Sequence, residues 1–370
     1  MTLKNIFVFL IVLLVLVAGA LGFYNFFFKK SAPPITEDGD EIKPSTEAKI
    51  KIVSQEPVLA PTVDNDKIKY YLKENGNVFQ SDFDGENLER ISSNILQGLE
   101  FILWSPDKTK VIGIFSVEGG KEIKKHFYDY ETKESILLNQ NIQWISWAPE
   151  ENKIAYQYLN PKTEDNFIST ANPDGSNWKN ILKTRIKDPI VEWPAKNQVS
   201  IRTKPSGLAQ SALYTINSAD GDFQKILSDI YGLTALWSPS GEKLLFSETD
   251  KDGKNLKLKT ADKNGQNIKE LNILTWPEKC AWSQDERIIF CAVPRVIPDD
   301  AIWPDDYYKG LFRTTDDFYK VNLETNEKSP LIEADKIGGE YDATKIFLSP
   351  QEDYLFFVNK KDGLLYNLRP

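Results

Sequence analysis

From residue 48 to the C-terminus the chain is written in short alternations of apolar and polar residues. Polar turns interrupt them every eight to twelve residues, and no stretch carries the 3.6-residue periodicity of an amphipathic helix. The alternations recur in register. "LWSPDKTKVIGIF", "SWAPEENKIAYQY", "EWPAKNQVSI", "LWSPSGEKLLFS", "AWSQDERIIFCA" and "FLSPQEDYLFFV" are led by Trp104, Trp147, Trp193, Trp237, Trp282 and Leu348, at spacings of 43, 46, 44, 45 and 66. A degraded seventh copy, "APTVDNDKIKYYL", places Pro61 a further 43 residues upstream of Trp104. A period of about 40–45 with several short strands per unit predicts the blades of a β-propeller.

Each unit reads as four strands: one ending at the Trp, a β-rich run after the turn, a third strand, and an outer strand such as "NLERIS" or "FQKILS". The recurrent Trp is expected as a wedge between neighbouring blades, because an indole buries a large area there. The last unit, "TKIFLSPQEDYLFFVNKKDGLLYNLRP", supplies three strands before the chain ends. An open sheet edge is an aggregation hazard. Residues 48–55, "AKIKIVSQ", alternate and have no other evident partner, so they are expected to pair with the strand around 364–368 and complete a seventh blade. The predicted fold is all-β: a seven-bladed β-propeller of four-stranded antiparallel blades.

A second repeated feature first suggests a metal. "SDFDGENLERI" contains Asp82-x-Asp84-Gly85-x-Asn87, the start of a calcium loop. Its sixth position is Asn87 where Gly is required, and its twelfth is Ser93, which cannot chelate through two oxygens. The layout recurs in "ANPDGSNWKNIL", "SADGDFQKIL" and "ADKNGQNIKEL", so it reads as a hairpin turn whose Gly supplies the positive φ.

"WSPSGEKLLFS" followed by "LKLKTADKNGQNIKEL" resembles the WSPDG–KIAF–DxDG–NxxxLT repeat of TolB-like propellers, relatives of WD-repeat proteins. The resemblance covers about residues 64–370. It implies the propeller fold and is nearly silent on function. Pro194-Ala195, Gln284-Asp285 and Leu348 depart from its pattern.

Ahead of the repeats, residues 6–28, "IFVFLIVLLVLVAGALGFYNFFF", carry no charge and are long enough for the ~20 helical residues a bilayer needs. Residues 1–30 are therefore expected to be a single transmembrane anchor. A cleaved secretory signal is the rival, with Ala18-Gly19-Ala20 as its small-residue site; the apolar run beyond that site favours retention. Residues 31–47 form a polar, Pro-containing linker. The propeller is placed on the extracytoplasmic side, because large domains translocate largely regardless of flanking charge.

The net charge of −9 argues against a nucleic-acid partner. Cys280 and Cys291 flank Trp282 on adjacent predicted strands; two buried free thiols are expected, although an oxidising compartment would permit a bond. His126 is the single histidine, with no GxSxG elbow, Cys/His zinc set or phosphate-binding Gly loop around it, so neither cofactor nor metal is called for. The sixth unit is about twenty residues longer than its siblings. The excess, residues 294–316, sets Trp303, Tyr307, Tyr308 and Phe312 beside Asp305 and Asp306. Aromatics with polar handles on a loop suit a contact surface, and a loop folded back over its own blade is the alternative. The expected function is a non-enzymatic module of the bacterial cell envelope that binds a protein or polymer. The rival is an envelope hydrolase or lyase using acidic residues around the central channel. Inward carboxylates and Arg at the channel mouth would favour the rival, and an apolar, aromatic top face the module.

Overall fold

In a computed structural model the chain is described over residues 50–370. The expected anchor at 1–30, the linker at 31–47 and the first residues of the closing strand lie outside the described residues. Among the described residues no helix is long and apolar enough to cross a membrane.

Seven four-stranded antiparallel sheets follow one another along the chain. Their first strands, Val58–Asp64, Leu99–Trp104, Ile142–Trp147, Ile190–Ala195, Ala235–Trp237, Cys280–Trp282 and Ala343–Leu348, define blades 1 to 7. First strands of blades 1 and 2, 2 and 3, 3 and 4, and 6 and 7 contact one another. The chain passes between blades on one face, here called the upper face, which also carries the loops between second and third strands. Seven apolar clusters hold the blades together, each drawn mainly from two adjacent sheets or the two faces of one interblade seam.

The repeated Trp is the wedge that its period predicts. Trp147, Trp193, Trp237 and Trp282 are buried. Three indoles also donate across the seam to a carbonyl of the preceding first strand: Trp104 to Ala60 at 2.8 Å, Trp147 to Leu103 at 3.0 Å and Trp282 to Leu236 at 3.4 Å. Where Pro194-Ala195 alters the motif, Trp193 turns its N–H to Lys196 of its own blade. In blade 1 the residue paired as the Trp is elsewhere is Val63, opposite Ile68, rather than Pro61; the turn there is shorter.

Blade 7 is closed by the N-terminal strand. Lys51–Ile52 pairs antiparallel with Leu365–Leu368 at the sheet edge. Beyond it Val53 is buried and its N–H donates to Leu365 O, while Leu365 N–H donates to Ser54 Oγ. The Asp82 turn packs on this strap: a Cβ at Gly85 (φ 85°) would lie 2.9 Å from Val53 O.

Two expectations change. The Asp-Gly segments are longer than two-residue hairpins: the strands separate after Gln80↔Glu89, Gly85 N–H closes on Asp82 O, and Asn87 takes a second positive φ. The Asp82 carboxylate organises this loop by accepting from Asn87 Nδ2 at 2.6 Å and from Lys67. The reading of Cys280 and Cys291 as free thiols is overturned, since they form a disulfide. They stand directly opposite each other on paired strands, where side chains on one face of a sheet come closest.

Removing residues 1–55 should destabilise the ring by at least about 2 kcal/mol, the value of burying Val53 alone, whereas removing residues 1–30 should leave its melt unchanged. Paired thermal melts check this; equal melting of both truncations would contradict the role assigned to the strap.

Candidate site at the upper mouth of the ring

The insertion at residues 294–316 leaves the second strand of blade 6 and returns to its third, Asp316–Asn322. It crosses the upper face instead of folding only over its own blade. Trp303 N–H donates to Gly253 O of blade 5 at 2.9 Å, and Lys254 Nζ reaches the carbonyls of Asp299 and Ala301. The Asp305 carboxylate, in the single helical turn Asp305–Tyr308, accepts from Gly207 N–H at 2.7 Å and Ser206 Oγ at 3.1 Å in blade 4. Asp306 caps the backbone of Ile302. Gly207 is required by this approach, because a Cβ there would sit 2.2 Å from Trp303 O.

Beneath the lid Trp276, Trp303 and Tyr307 form a buried aromatic cluster with Phe312 at its edge. Trp276 and Trp303 centroids lie 3.9 Å apart, and Tyr307 and Phe312 5.7 Å. Of the residues expected to meet a partner, Trp303 and Tyr307 are therefore packed inside. Phe312 is half-buried, Asp305 and Asp306 hold backbone, and Tyr308 is exposed.

A fully buried ammonium anchors the cluster. Lys279 Nζ contacts Asp316 at 2.6 Å, Asp342 at 2.8 Å and Ala343 O at 2.9 Å, and lies 4.9 Å from the Trp276 ring centroid. The Tyr307 hydroxyl and Thr314 hydroxyl both donate to Asp342. Burial opposes charge on both carboxylates. At Asp342 the donors, Lys279 foremost, outweigh it and hold the group below its usual range. At Asp316, where one oxygen has no hydrogen-bond partner among the described residues, burial wins and pushes the group up.

Blade 4, which the lid reaches through Asp305, supplies the next charged groups. Arg202 ends the second strand Gln198–Arg202 with its side chain only 7 % exposed. Its Nε lies 3.8 Å from Glu192 Oε2, beyond hydrogen-bond reach, and neither Nε nor Nη1 has a hydrogen-bond partner among the described residues. Glu192 Oε2 is likewise unpartnered. From blade 6 the exposed Glu278 accepts from the Tyr308 hydroxyl. Surrounding protein pushes both Glu192 and Glu278 up despite Arg202, and each of the two feels the same guanidinium. Tyr308 is pushed up for the same reason and by Glu278 itself. At the rim Trp144, part-exposed, donates to Asp188 at 3.1 Å, and the Lys204 ammonium stands 5.8 Å from its ring centroid.

Sequence reasoning placed the lid and Tyr308 but missed Glu192, Arg202, Glu278 and Lys279. A readable signal existed in "VSIRT", where an Arg interrupts the apolar face of a strand, and in "WPEKCAW", where two charges sit between buried residues.

No protein-family model matches the chain, and no curated protein matches it. Similar solved structures include tricorn protease, with a TM-score of 0.54 and 13 % identity over 92 % of this chain. This chain spans about a third of that one, 34 %. Oligogalacturonate lyase from Vibrio parahaemolyticus matches with a TM-score of 0.56 and 13 % identity, covering 87 % of this chain and 90 % of its own. TolB from Acinetobacter baumannii matches at 0.43 and 13 % identity over 85 % and 63 %, too loosely to carry an argument. These likenesses establish the propeller fold alone.

Trp303→Ala should destabilise the protein by ~3–5 kcal/mol, the range for truncating a buried Trp. A chemical denaturation curve checks this, and an unchanged midpoint would return Trp303 to the role of a surface contact.

Proposed function

We propose that the protein is a membrane-anchored, extracytoplasmic binding module of the bacterial cell envelope. It takes a polar segment of an envelope protein or polymer at the mouth bounded by Arg202, Glu192, Glu278 and Tyr308. The observation that carries this reading is the nearly sealed Arg202 guanidinium, whose two N–H groups lack acceptors beside a carboxylate oxygen that lacks a donor. Leaving such groups unmet costs about 1–3 kcal/mol each. A ligand offering an acceptor and a donor in one segment satisfies both, as a peptide group or a sugar hydroxyl pair does. Trp144 at the rim adds an apolar face for such a segment. The Cys280–Cys291 disulfide supports an oxidising compartment, and the uncharged run at 6–28 supports an anchor.

A hydrolase or lyase is the second reading, favoured by two carboxyl groups, Glu192 and Glu278, both pushed up beside an arginine. The mouth matches the arrangement of inward carboxylates and Arg set out for that rival. The two readings separate in one experiment on full-length protein incubated with isolated envelope polymer and envelope membranes. Binding predicts retention without release of soluble fragments, and Arg202→Met should reduce retention by about tenfold, ~1.4 kcal/mol, with folding intact by circular dichroism. Undiminished retention by Arg202→Met would contradict the site. Fragment release that disappears in Glu278→Gln would make the protein an enzyme.

A further inference from the structure

In the seam between blades 1 and 2 the Trp104 wedge is present, but a large side chain that stands behind it in the other seams is missing. In each blade the residue two beyond the one paired with the Trp position points into the seam. Elsewhere it is Tyr70, Tyr156, Ile201, Phe246, Cys291 or Phe357, all buried. In blade 2 it is Gly113, in the middle of Lys110–Val117 and paired on both sides, with Ile102 and His126. Gly113 has no positive φ, so its backbone does not call for glycine. A glycine inside a strand weakens it and marks a place where something approaches closely.

The Phe115 ring folds over Gly113, so that a Cβ there would lie 2.8 Å from Phe115 Cε2, and beside the two residues is a cavity of about 360 Å³ open to solvent on one side. That is the size of small-molecule sites, ~300–1,000 Å³. Its walls are mainly apolar and aromatic: Tyr71, Ile102, Val111, Phe115 and Tyr128. Polar groups come from the blade 1 side, at Ser92, Asn94 and Gln97, and from blade 2. His126 faces Gly113 with its ring edge-on to Phe115, and neither ring nitrogen has a hydrogen bond among the described residues. Lys124 lies beside it, 3.6 Å from Glu122 and 40 % exposed, with Ser135 nearby. Burial and the Lys124 charge hold His126 below its usual range, so it meets a ligand as the neutral imidazole.

We propose that the gap at Gly113 binds a small amphipathic molecule with a flat aromatic body and an anionic head. The body lies in the cavity between Phe115 and the blade 1 wall of Tyr71 and Val78, and the head meets Lys124 and His126. The site is separate from the upper mouth and stands whether or not the mouth binds a polymer.

The probe is 2-naphthoate, titrated calorimetrically into full-length protein in lipid nanodiscs with empty nanodiscs subtracted; neutral 2-naphthalenemethanol is the comparison. Wild type should bind one naphthoate per chain. Gly113→Phe, which must push the Phe115 ring into the cavity, should abolish binding of both probes; if that variant folds poorly, Gly113→Val should weaken both at least tenfold. Lys124→Met should weaken naphthoate about tenfold and leave the neutral probe unchanged. Absence of saturable binding by wild type, or binding by a folded Gly113 variant equal to wild type, would overturn the site. Equal losses of both probes in Lys124→Met would overturn the anionic head.

Discussion

The ammonium of Lys279 is the interaction on which the upper face depends. It sits where the chain enters blade 6 and is completely buried. It holds the start of that blade's third strand through Asp316 and the entrance to blade 7 through Asp342 and Ala343 O. An ion so placed is tolerated only because charge and hydrogen bonds surround it; removing it would leave two buried carboxyl groups uncompensated, at a cost of about 3–5 kcal/mol. The lid is tied to the same centre, because Tyr307 donates to Asp342 and packs its ring within 5.6 Å of Nζ.

This arrangement explains why an insertion of this length can rest on a propeller without being a free loop. Its backbone is met by Gly253 of blade 5, its Asp305 carboxylate by Gly207 of blade 4, and its aromatic rings are covered by Trp276. Once the lid is fixed, Tyr308 is fixed too, and with it Glu278 on the blade 6 side of the mouth. Arg202 and Glu192 are held by ordinary strand pairing in blade 4. The mouth therefore has one wall set by a regular blade and one set by the lid. The second wall is only as firm as the buried ion cluster beneath it.

The ring was legible in the sequence because its determinants repeat. A Trp wedge at a period near 44 and a partnerless alternating strand before blade 1 specify blade count and closure between them, since every blade must fill the same seam and cover the same edge. What did not repeat was harder to read. Lys279, Arg202 and Glu192 are single residues whose meaning lies in neighbours far away in sequence. Burial of Trp303 and Tyr307 depends on glycines about 50 and 100 residues upstream. The disulfide turned on strand register, which spacing alone leaves open. Gly113 differs from any other strand glycine only through strand pairing, which sets it level with buried residues of the other blades.

The central claim is that the lid is a fixed part of the ring, pinned through Lys279. Amide hydrogen exchange of the native protein tests it most directly, read at Trp303 N–H, bonded to Gly253 O, and at Ala343 N–H, bonded to the Asp316 carboxylate. Both amides should be protected as strongly as those of the blade 5 strands in the wild type. In Lys279→Met both should lose that protection while the blade 5 strands keep theirs. Wild-type lid amides exchanging as fast as the exposed turns, or protection untouched by Lys279→Met, would contradict the account.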